Sequence, residues 1–289
     1  MSCLRVENLG LRFGGLTAVD HVNFEVRHGE VFTMIGPNGA GKTSIFNMIS
    51  RFYRPSAGRI YFEDADITDV PPHEISRLGI ARTFQNIELF ENTTVLANLL
   101  AGRHQYSTTR VWEEVLFLPK VRRAEYEHRH RVEEIIDFLE LQKYRDQLIA
   151  GLPYGVRKVC ELARALCTEP RLLLLDEPSS GLNVEETEDM AYWITDIRNV
   201  LGITVLMVEH DMSLVNRVSD RVVALNYGRV VALGAPREVA AHPDVIAAYL
   251  GSLKGLDART RIDARGAEPG DLLRADHGRA WRQPRRAAR

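Results

Sequence analysis

The stretch VFTMIGPNGAGKTS, Val31 to Ser44, decides the fold of this chain. It fits the pattern Gly-x-x-x-x-Gly-Lys-Thr, and the residues at the fixed positions are Gly36, Gly41, Lys42 and Thr43. The apolar run Val31–Ile35 predicts a buried strand before the loop, and the residues from Ser44 to Ser50 can continue as a helix. Strand, glycine-rich loop and helix in this order distinguish a phosphate-binding loop from a chance match. The alternative interpretation is an ordinary glycine-rich turn that holds a surface lysine.

The residue types of this loop suit a nucleoside triphosphate. Gly36, Gly39 and Gly41 lack Cβ atoms, so the backbone can fold closely around phosphate groups and present its N–H donors. The N-terminus of the following helix adds positive partial charge at the same point. Lys42 can reach the β- and γ-phosphates, and the Thr43 hydroxyl can bind Mg²⁺. The predicted phosphate-binding residues are Gly36, Pro37, Asn38, Gly39, Ala40, Gly41, Lys42, Thr43 and Ser44.

Composition and charge argue against several classes of protein. The chain has 289 residues and 45% hydrophobic content, enough for one large domain or two ordinary ones. Its net charge of −2 gives no indication of nucleic-acid binding. Three cysteines without C-x-x-C spacing argue against a disulfide framework or zinc site and favour a reducing compartment. We find neither a signal-peptide pattern nor an apolar run of about 20 residues. If the protein works at a membrane, partner subunits must therefore supply the spans.

The segments around the loop predict further strands. Leu4–Leu9 and His21–Arg27 alternate apolar and polar residues, which is typical of half-buried antiparallel strands. Arg59–Phe62 and Gly79–Phe84 predict two more strands. Phe13, between the first two strands, can stack on a flat base; the alternative is a core or strand-end aromatic.

The stretch RLLLLDEP, Arg171 to Pro178, is the second strong signal. Four consecutive leucines predict a fully buried strand that ends in Asp176 and Glu177. Successive strand residues point to opposite sides, so the two carboxylates can serve different roles. We expect Asp176 to hold Mg²⁺ and Glu177 to face the attacking water as a general base. The alternative is an acidic pair that caps the following helix.

Two other predicted strands end in polar residues. Gln85 follows Gly79–Phe84, and a polar residue at this place can orient Mg²⁺ or water. His210 follows the apolar run Ile203–Val208 and can hydrogen-bond to a γ-phosphate, although a lone histidine at a strand end is more often structural.

The middle of the chain has a helical pattern. The charged stretch from Arg110 to Leu141 predicts a helix whose basic cluster is solvated, with nucleic-acid contact as the weaker alternative. GLPYG, Gly151 to Gly155, is a turn before an amphipathic helix. The start of that helix is a second candidate phosphate site or an ordinary helix start. After Gly251 the composition changes to Ala, Gly, Arg and Asp, which predicts a disordered tail.

The order of these signals resembles the ATP-binding subunit of ABC transporters. The phosphate loop, Gln85, a helical insert, GLPYG, LLLLDEP, SSGLN and VEHD come in the family's order. The resemblance implies an α/β fold, a P-loop ABC ATPase with a parallel-sheet core, an antiparallel β subdomain and an inserted helical subdomain at about residues 90–165. It implies an ATP-binding domain at residues 1–252, followed by the tail 253–289. It also implies a head-to-tail dimer that holds two ATP molecules.

The resemblance assigns a role to each candidate residue. Phe13 looks like the adenine-stacking aromatic, and Gln85 looks like the residue that senses Mg²⁺ and the membrane subunit. Tyr154 and Gly155 lie within the signature that meets the partner's nucleotide, and His210 looks like the switch histidine. The implied catalytic residues are Glu177, His210 and Gln85. The implied ligands of Mg²⁺ are Thr43, Gln85 and Asp176.

Three departures from the family pattern narrow the resemblance. The family's signature sequence, Leu-Ser-Gly-Gly-Gln, corresponds to Leu152 to Val156, and here Pro153 replaces its serine and Val156 its glutamine. The segment Ser179 to Asn183, which resembles the family's D-loop, ends in asparagine instead of aspartate. With RTFQNIELFENTTVLANLLAGRH around Gln85 and the ending PDVIAAYLG, the chain resembles the ATPase subunit of branched-chain amino acid importers. It looks like the larger of the two ATPase partners in such systems.

This subfamily implies a function, partners and a location. The function is ATP hydrolysis that powers uptake of branched-chain amino acids, or of related amino acids or amides, across the inner membrane. The implied partners are a second ATPase subunit in a homo- or heterodimer, two multi-spanning permease subunits and an external substrate-binding protein, with no nucleic acid. The implied location is peripheral, on the cytoplasmic face of that membrane.

Two other classes of ABC protein remain as alternatives. A soluble ABC ATPase of translation usually has two cassettes, and one of DNA repair has a long coiled coil, whereas this chain has one cassette and no sustained heptad. A lipopolysaccharide-export ATPase would be expected to keep the sequence Leu-Ser-Gly-Gly, which this chain lacks.

Overall fold

The computed structural model of the chain describes residues 2–83, 87–106 and 119–250. Met1–Ala248 is one compact unit of the chain. The predictions for Phe84, for Gln85 and for the tail 253–289 fall outside the described residues.

Ten described strands form two sheets. In chain order the strands are β1 (Ser2–Phe13), β2 (Leu16–Arg27), β3 (Val31–Ile35), β4 (Ala57–Phe62), β5 (Ala65–Asp66), β6 (Ile80–Arg82), β7 (Leu172–Asp176), β8 (Thr204–Val208), β9 (Arg221–Asn226) and β10 (Arg229–Gly234). The six-stranded sheet has the order β10-β9-β3-β8-β7-β6, and the four-stranded sheet has the order β2-β1-β4-β5. All pairings in the larger sheet are parallel except that of β10 with β9. The smaller sheet is antiparallel throughout.

The helices follow the expected division of the chain. They are α1 (Lys42–Ile49), α2 (Pro72–Ile75), α3 (Val95–Gly102), α4 (Pro119–Phe138), α5 (Tyr154–Leu166), α6 (Val184–Asn199), α7 (Met212–Val218) and α8 (Pro236–Ala240), and residues 243–250 form a further helix, α9. Three short 3₁₀ helices cover His104–Tyr106, Gln142–Tyr144 and Ile149–Gly151. Helices α3, α4 and α5 lie in or next to residues 90–165. Within the described ranges, no helix is both long enough and apolar enough to span a bilayer.

The larger sheet separates two apolar cores. Strands β3, β7 and β8 are buried along their whole length. Leu173 and Leu175 of β7 pack into the core built from the helical insert and α6, whereas Leu172 and Leu174 pack into the core shared with α1 and the smaller sheet. This alternation is the consequence of the period of two in a strand, and it explains why an interior strand reads as an unbroken run of leucine.

Several predicted boundaries shift in the structure. The strand Leu4–Leu9 is the centre of a longer β1, because irregular pairing with β2 continues to Phe13. Strand β6 begins after Gly79, whose φ of 96° lies outside the extended region. The first helix begins at Lys42, two residues before the predicted Ser44.

Side-chain burial in the helical insert agrees with the predicted pattern. Val159, Leu162, Ala163 and Leu166 are all buried on one face of α5. In the charged stretch, Ile136, Leu139 and Leu141 are buried and Ile135 is partly buried. The arginines between residues 122 and 131 are exposed on α4, so the basic cluster is a solvated helix face.

The hairpin of β9 and β10 brings a turn against the phosphate loop. Tyr227 and Gly228 have φ angles of 47° and 77°, which a two-residue turn with both central residues at positive φ requires. The Gly228 N–H donates to the Ala40 carbonyl at 3.0 Å, and the Asp20 N–H donates to the Gly228 carbonyl at 2.8 Å. The turn therefore fixes the loop against β2.

Candidate functional site

The phosphate loop lies between β3 and α1, and its glycines are required for different reasons. Gly36, Gly39 and Gly41 have φ angles of 147°, 81° and 102°. A Cβ at Gly36 would collide with the Leu225 carbonyl oxygen, and one at Gly41 would lie 2.8 Å from the Ala18 carbonyl oxygen. A Cβ at Gly39 would meet no atom within 4 Å. At Gly36 and Gly41 the structure therefore adds a second reason for glycine, because the protein's own backbone lies where a Cβ would be.

This difference predicts unequal effects of two alanine substitutions. Gly36→Ala combines a strained φ with a backbone collision, so we expect it to lower the free energy of unfolding by about 3 kcal/mol. Gly39→Ala is the matched control, and it adds strain alone, at about 1 kcal/mol. Chemical denaturation of the two variants measures the difference. Equal losses would contradict the assignment of Gly36 to packing.

The Lys42 side chain forms hydrogen bonds to the backbone of the phosphate loop. Its ammonium donates to the carbonyl oxygens of Gly36 at 2.6 Å and Pro37 at 3.2 Å, and the side chain is buried. Burial lowers the pKa of Lys42, and the nearby carboxylates of Glu177 and Asp176 oppose that effect. A bound phosphate would add the negative charge that favours the ammonium form.

The N-terminus of α1 suits an anion. No described side chain caps it, and its first turn holds no acidic residue. The first N–H groups of a helix have no partner within the helix, so they are available to phosphate oxygens. The loop and the helix therefore offer donors and positive charge at one point.

Asp176 ends β7 with a partner that the sequence analysis missed. Its side chain is 5% exposed and accepts from Nη2 of Arg82 at 2.9 Å. Nη1 of Arg82 also donates to Asn47 Oδ1 and Ser50 Oγ, both at 2.8 Å. Arg82 thus holds the carboxylate of β7 against the α1 segment.

The described residues fit a magnesium ion held jointly with phosphate. The oxygen atoms of Thr43 and Asp176 are ligands that Mg²⁺ accepts, and Mg²⁺ commonly takes one or two protein ligands together with substrate phosphates. Among the residues the structure describes, no group of three or more His, Cys, Asp and Glu side chains could hold a metal by itself. The third predicted ligand, Gln85, lies outside the described residues.

Glu177 has a backbone conformation that strand alternation does not predict. The strand ends at Asp176, and Glu177 has a φ of 50°, so the expected reason for the different directions of the two carboxylates is wrong. A non-glycine residue in this region costs on the order of 1–3 kcal/mol and persists only where its surroundings hold it. Here the Glu177 N–H donates to the Val208 carbonyl at 2.9 Å, and Lys158 Nζ donates to the Glu177 carbonyl at 2.8 Å.

His210 lies beside Glu177. Its Nδ1 is 3.9 Å from Oε2 of Glu177 and 3.8 Å from Oε2 of Glu209. The imidazole is 58% exposed, whereas the Glu177 carboxylate is 20% exposed. His210 occupies the junction between β8 and α7, where the Asp211 side chain caps the helix by accepting from the Ser213 N–H. An accessible imidazole and a mostly buried carboxylate therefore meet at the edge of the sheet.

Glu209 is a second residue that the sequence analysis missed. Its carboxylate is fully buried and accepts four hydrogen bonds. The donors are the Ser179 N–H at 2.9 Å, the Ser179 hydroxyl at 2.6 Å, the His210 N–H at 2.7 Å and the Asp211 N–H at 3.1 Å. One side chain therefore ties the segment after Glu177 to the segment that carries His210.

Tyr154 and Gly155 contact the segment that follows Glu177. The Tyr154 hydroxyl donates to the Ser180 carbonyl at 3.3 Å, and a Cβ at Gly155 would collide with the Glu186 carboxylate. Glu186 forms a capping box with Asn183, whose side chain accepts from the Glu186 N–H at 2.9 Å. The asparagine at the end of this loop thus begins α6 as its N-cap.

Phe13 lies apart from these groups, at the end of β1. Its side chain is 48% exposed, and its ring meets Tyr53 edge-on with centroids 5.4 Å apart. About half of the surface of Phe13 is therefore open to solvent.

Comparison with known proteins agrees with this geometry. A sequence profile of the ABC transporter family matches residues 19–180, and one described as branched-chain amino acid ATP-binding cassette transporter matches residues 229–252. The LivG protein of Escherichia coli K12 is 41% identical over 248 residues, 86% of this chain and 97% of that protein.

The chain belongs to the ABC transporter family.

Other relatives agree with this assignment. The cassette is 42% identical to the BraF protein of Pseudomonas aeruginosa, over 86% of this chain and 97% of that protein. Both proteins are named high-affinity branched-chain amino acid transport ATP-binding proteins. A crystal structure of the ADP conformation of an ATP-binding cassette matches with a TM-score of 0.76 and 32% identity, covering 87% of this chain and 99% of that one.

The cassette brings the predicted site residues together in two groups. The first contains the phosphate loop, Asp176, Glu177 and His210 at the carboxyl ends of β3, β7 and β8. The second contains Tyr154 and Gly155 with the segment from Ser180 to Glu186.

Proposed function

We propose that the chain is the ATP-hydrolysing subunit of an ABC importer for branched-chain amino acids or related amino acids and amides. The placement of the Glu177 carboxylate 3.9 Å from His210, beside the phosphate loop, is the observation that carries the ATPase assignment. The names of relatives at 41–42% identity support the substrate class.

Nucleotide binding is assigned to the loop and its neighbours. The N–H groups of the loop and the Lys42 ammonium hold the β- and γ-phosphates, and the exposed face of Phe13 stacks on adenine. Thr43, Asp176 and Gln85 hold Mg²⁺, which shields phosphate charge when bound. A solved neighbour described as an ADP conformation, 32% identical to this chain, supports this assignment.

Hydrolysis is assigned to Glu177, His210 and Gln85. The Glu177 carboxylate accepts a proton from the attacking water, and general-base help of this kind is worth about 10²–10⁴-fold. His210 is placed to hydrogen-bond to the γ-phosphate and to keep the water near Glu177. Gln85 is assigned to orient Mg²⁺ or the attacking water.

The proposed assembly is a transporter with four kinds of component. The cassette pairs with a second ATPase subunit, different or identical, so that Tyr154 and Gly155 meet the nucleotide of that subunit. Two multi-spanning permease subunits place the pair on the cytoplasmic face of the inner membrane, and an external binding protein delivers the substrate. Names of the relatives favour this importer over a soluble or lipopolysaccharide-export ABC ATPase.

Purification of the tagged chain from its own membranes in mild detergent tests the assembly. We expect two multi-spanning proteins and a second ATPase subunit to co-purify, and the complex to hydrolyse Mg-ATP. A chain that purifies alone, or with ribosomes or DNA, would contradict the importer assignment.

The tail 253–289 is proposed to be dispensable for ATP hydrolysis. It follows the last matched residue, 252, and has few large apolar side chains to pack. A chain that ends at Ser252 is expected to keep ATPase activity within about two-fold of the full chain. Truncation after Ala241 is the control, because it also removes α9 and the buried Val245, and it should lower stability. A ten-fold loss in a folded Ser252 truncation would place the tail in the catalytic unit.

A further inference from the structure

Helix α5 carries a buried lysine that the motifs do not explain. Lys158 is 5% exposed, although the helix has a solvent-facing side on which a lysine would be hydrated. A buried ammonium is unfavourable unless it gains specific partners. Its ammonium donates to the backbone carbonyl of Glu177 at 2.8 Å.

The backbone of Glu177 needs hydrogen-bond partners to keep its unfavourable conformation. Its φ of 50° is outside the region that a glutamate prefers. The N–H of Glu177 is held by Val208 on β8 at 2.9 Å, and its carbonyl accepts from the Ser180 N–H at 3.1 Å as well as from Lys158. Of these three contacts, only the one from Lys158 joins Glu177 to helix α5.

Carboxylates around Lys158 favour its charged form. Burial lowers the pKa of Lys158, and the carboxylates of Glu161, Glu209, Glu177 and Asp176 oppose that effect. Glu161 and Glu209 are themselves buried, at 3% and 0% exposure. Since a methionine could fill the same space without desolvating a charge, ion pairing alone is a weak reason for a lysine here. The contact with the Glu177 carbonyl supplies a stronger one.

The partners of Glu177 hold its backbone from two sides. Val208 holds the backbone from the strand side and Lys158 holds it from the helix side. Glu209 fixes Ser179 and His210 with the same carboxylate. The 3.9 Å separation between Glu177 and His210 therefore depends on contacts from β8 and α5 together.

We propose that Lys158 is a positioning residue for ATP hydrolysis, whose ammonium holds the Glu177 backbone so that the Glu177 carboxylate stays beside His210. This inference rests on the proposed ATPase function. It makes the placement of the base depend on the position of helix α5. The first turn of that same helix carries Tyr154 and Gly155, so a shift at the signature is transmitted to the Glu177 of the same chain.

Replacement of Lys158 by methionine in the full chain tests this role. We expect kcat for Mg-ATP to fall about 10- to 100-fold, because a misplaced catalytic group loses this much, while KM for ATP stays within about two-fold. Lys158→Gln should act in the same direction, since its shorter side chain cannot reach the Glu177 carbonyl, and it keeps a polar group beside Glu161 and Glu209. Lys158→Arg, which keeps the charge and the donors, should recover most of the lost rate.

A double-mutant cycle separates positioning from general stability. In a Glu177→Gln background the Lys158→Met change should alter the residual single-turnover rate by less than about two-fold, because the carboxylate it positions is already absent. Arg103→Met is the matched control, because Arg103 is also a buried cation that donates to a backbone carbonyl, that of Cys167 at 3.1 Å. Arg103 is far from Glu177 in the sequence. This control variant should leave kcat within about two-fold of the unsubstituted chain.

The outcomes test the positioning role of Lys158 separately from the proposed ATPase function. If Lys158→Met and Lys158→Gln both hydrolyse ATP within about two-fold of the unsubstituted chain, or lose the same factor with and without Glu177, the positioning role is wrong. If Lys158→Met does not fold, the Lys158→Gln cycle decides in the same way. An unsubstituted chain that hydrolyses no ATP, alone or in its purified complex, would instead overturn the proposed function.

Discussion

Replacing Glu177 by glutamine is expected to lower kcat for ATP about 10²–10⁴-fold with Mg-ATP affinity unchanged. Glutamine keeps the shape and the backbone of Glu177 but cannot take a proton from water. The groups proposed to bind the nucleotide, Lys42, Thr43 and Asp176, are not altered. The variant should therefore accumulate as a closed, ATP-bound dimer with its paired ATPase subunit.

Single-turnover hydrolysis and equilibrium nucleotide binding measure this effect. Glu188→Gln, an exposed acid on α6, is the control and should leave both quantities unchanged. Turnover by Glu177→Gln within a few-fold of the unsubstituted chain would show that Glu177 is not the base. The attacking water would then have to be held by Gln85 and His210, with the paired subunit performing most of the hydrolysis.

Lys42→Ala is expected to abolish ATP hydrolysis and to weaken nucleotide binding. A hydrogen bond to a charged group is worth about 1.5–3 kcal/mol, so affinity should fall roughly 10- to 100-fold. The carbonyl oxygens of Gly36 and Pro37 also lose the donor that the structure shows at 2.6 Å and 3.2 Å. The loop thus loses both its cation and part of its internal support.

Fluorescent-nucleotide titration and ATPase assays of the purified complex test this prediction. Lys143→Ala removes an exposed lysine of the helical insert and should change neither reading. Near-normal turnover by Lys42→Ala would contradict the assignment of the nucleotide site.

The sequence predicts the parts of the fold that local pattern determines. Strands β3, β7 and β8 are mostly apolar runs that end at, or are followed by, a polar or glycine residue, and the structure buries each of them completely. The turn at Tyr227–Gly228 lies between the apolar runs of β9 and β10, a pattern typical of a hairpin. These features need no knowledge of distant residues, because their residue types permit few other conformations.

The residues that support the site could not be found in the same way. Arg82 and Asp176 are 94 residues apart, and Lys158 and Glu177 are 19 residues apart, so only the folded chain brings them together. A charged side chain within a helical or strand pattern normally indicates the solvent face. Arg82, Lys158 and Glu209 are exceptions, since each is buried with specific hydrogen-bond partners.

For two features of the site, the sequence predicted the residue but not its structural role. The residue Glu177 was predicted as the base, but its positive φ was not, because glutamate gives no signal of a left-handed conformation as glycine does. The glycines of the loop were predicted, but the collision of a Gly36 Cβ with Leu225 depends on the packing of β9. In both cases sequence identifies the residue, and tertiary structure supplies the reason for it.

Uptake of radiolabelled leucine into proteoliposomes tests the central claim most directly. The vesicles contain this chain with its co-purified membrane and ATPase subunits, the external binding protein and Mg-ATP on the side of the cassette. We expect leucine to accumulate with ATP, and accumulation to be lost in vesicles assembled with Lys42→Ala. Equal leucine accumulation with and without ATP, or with the unsubstituted chain and Lys42→Ala, would contradict the claim that this chain powers branched-chain amino acid import.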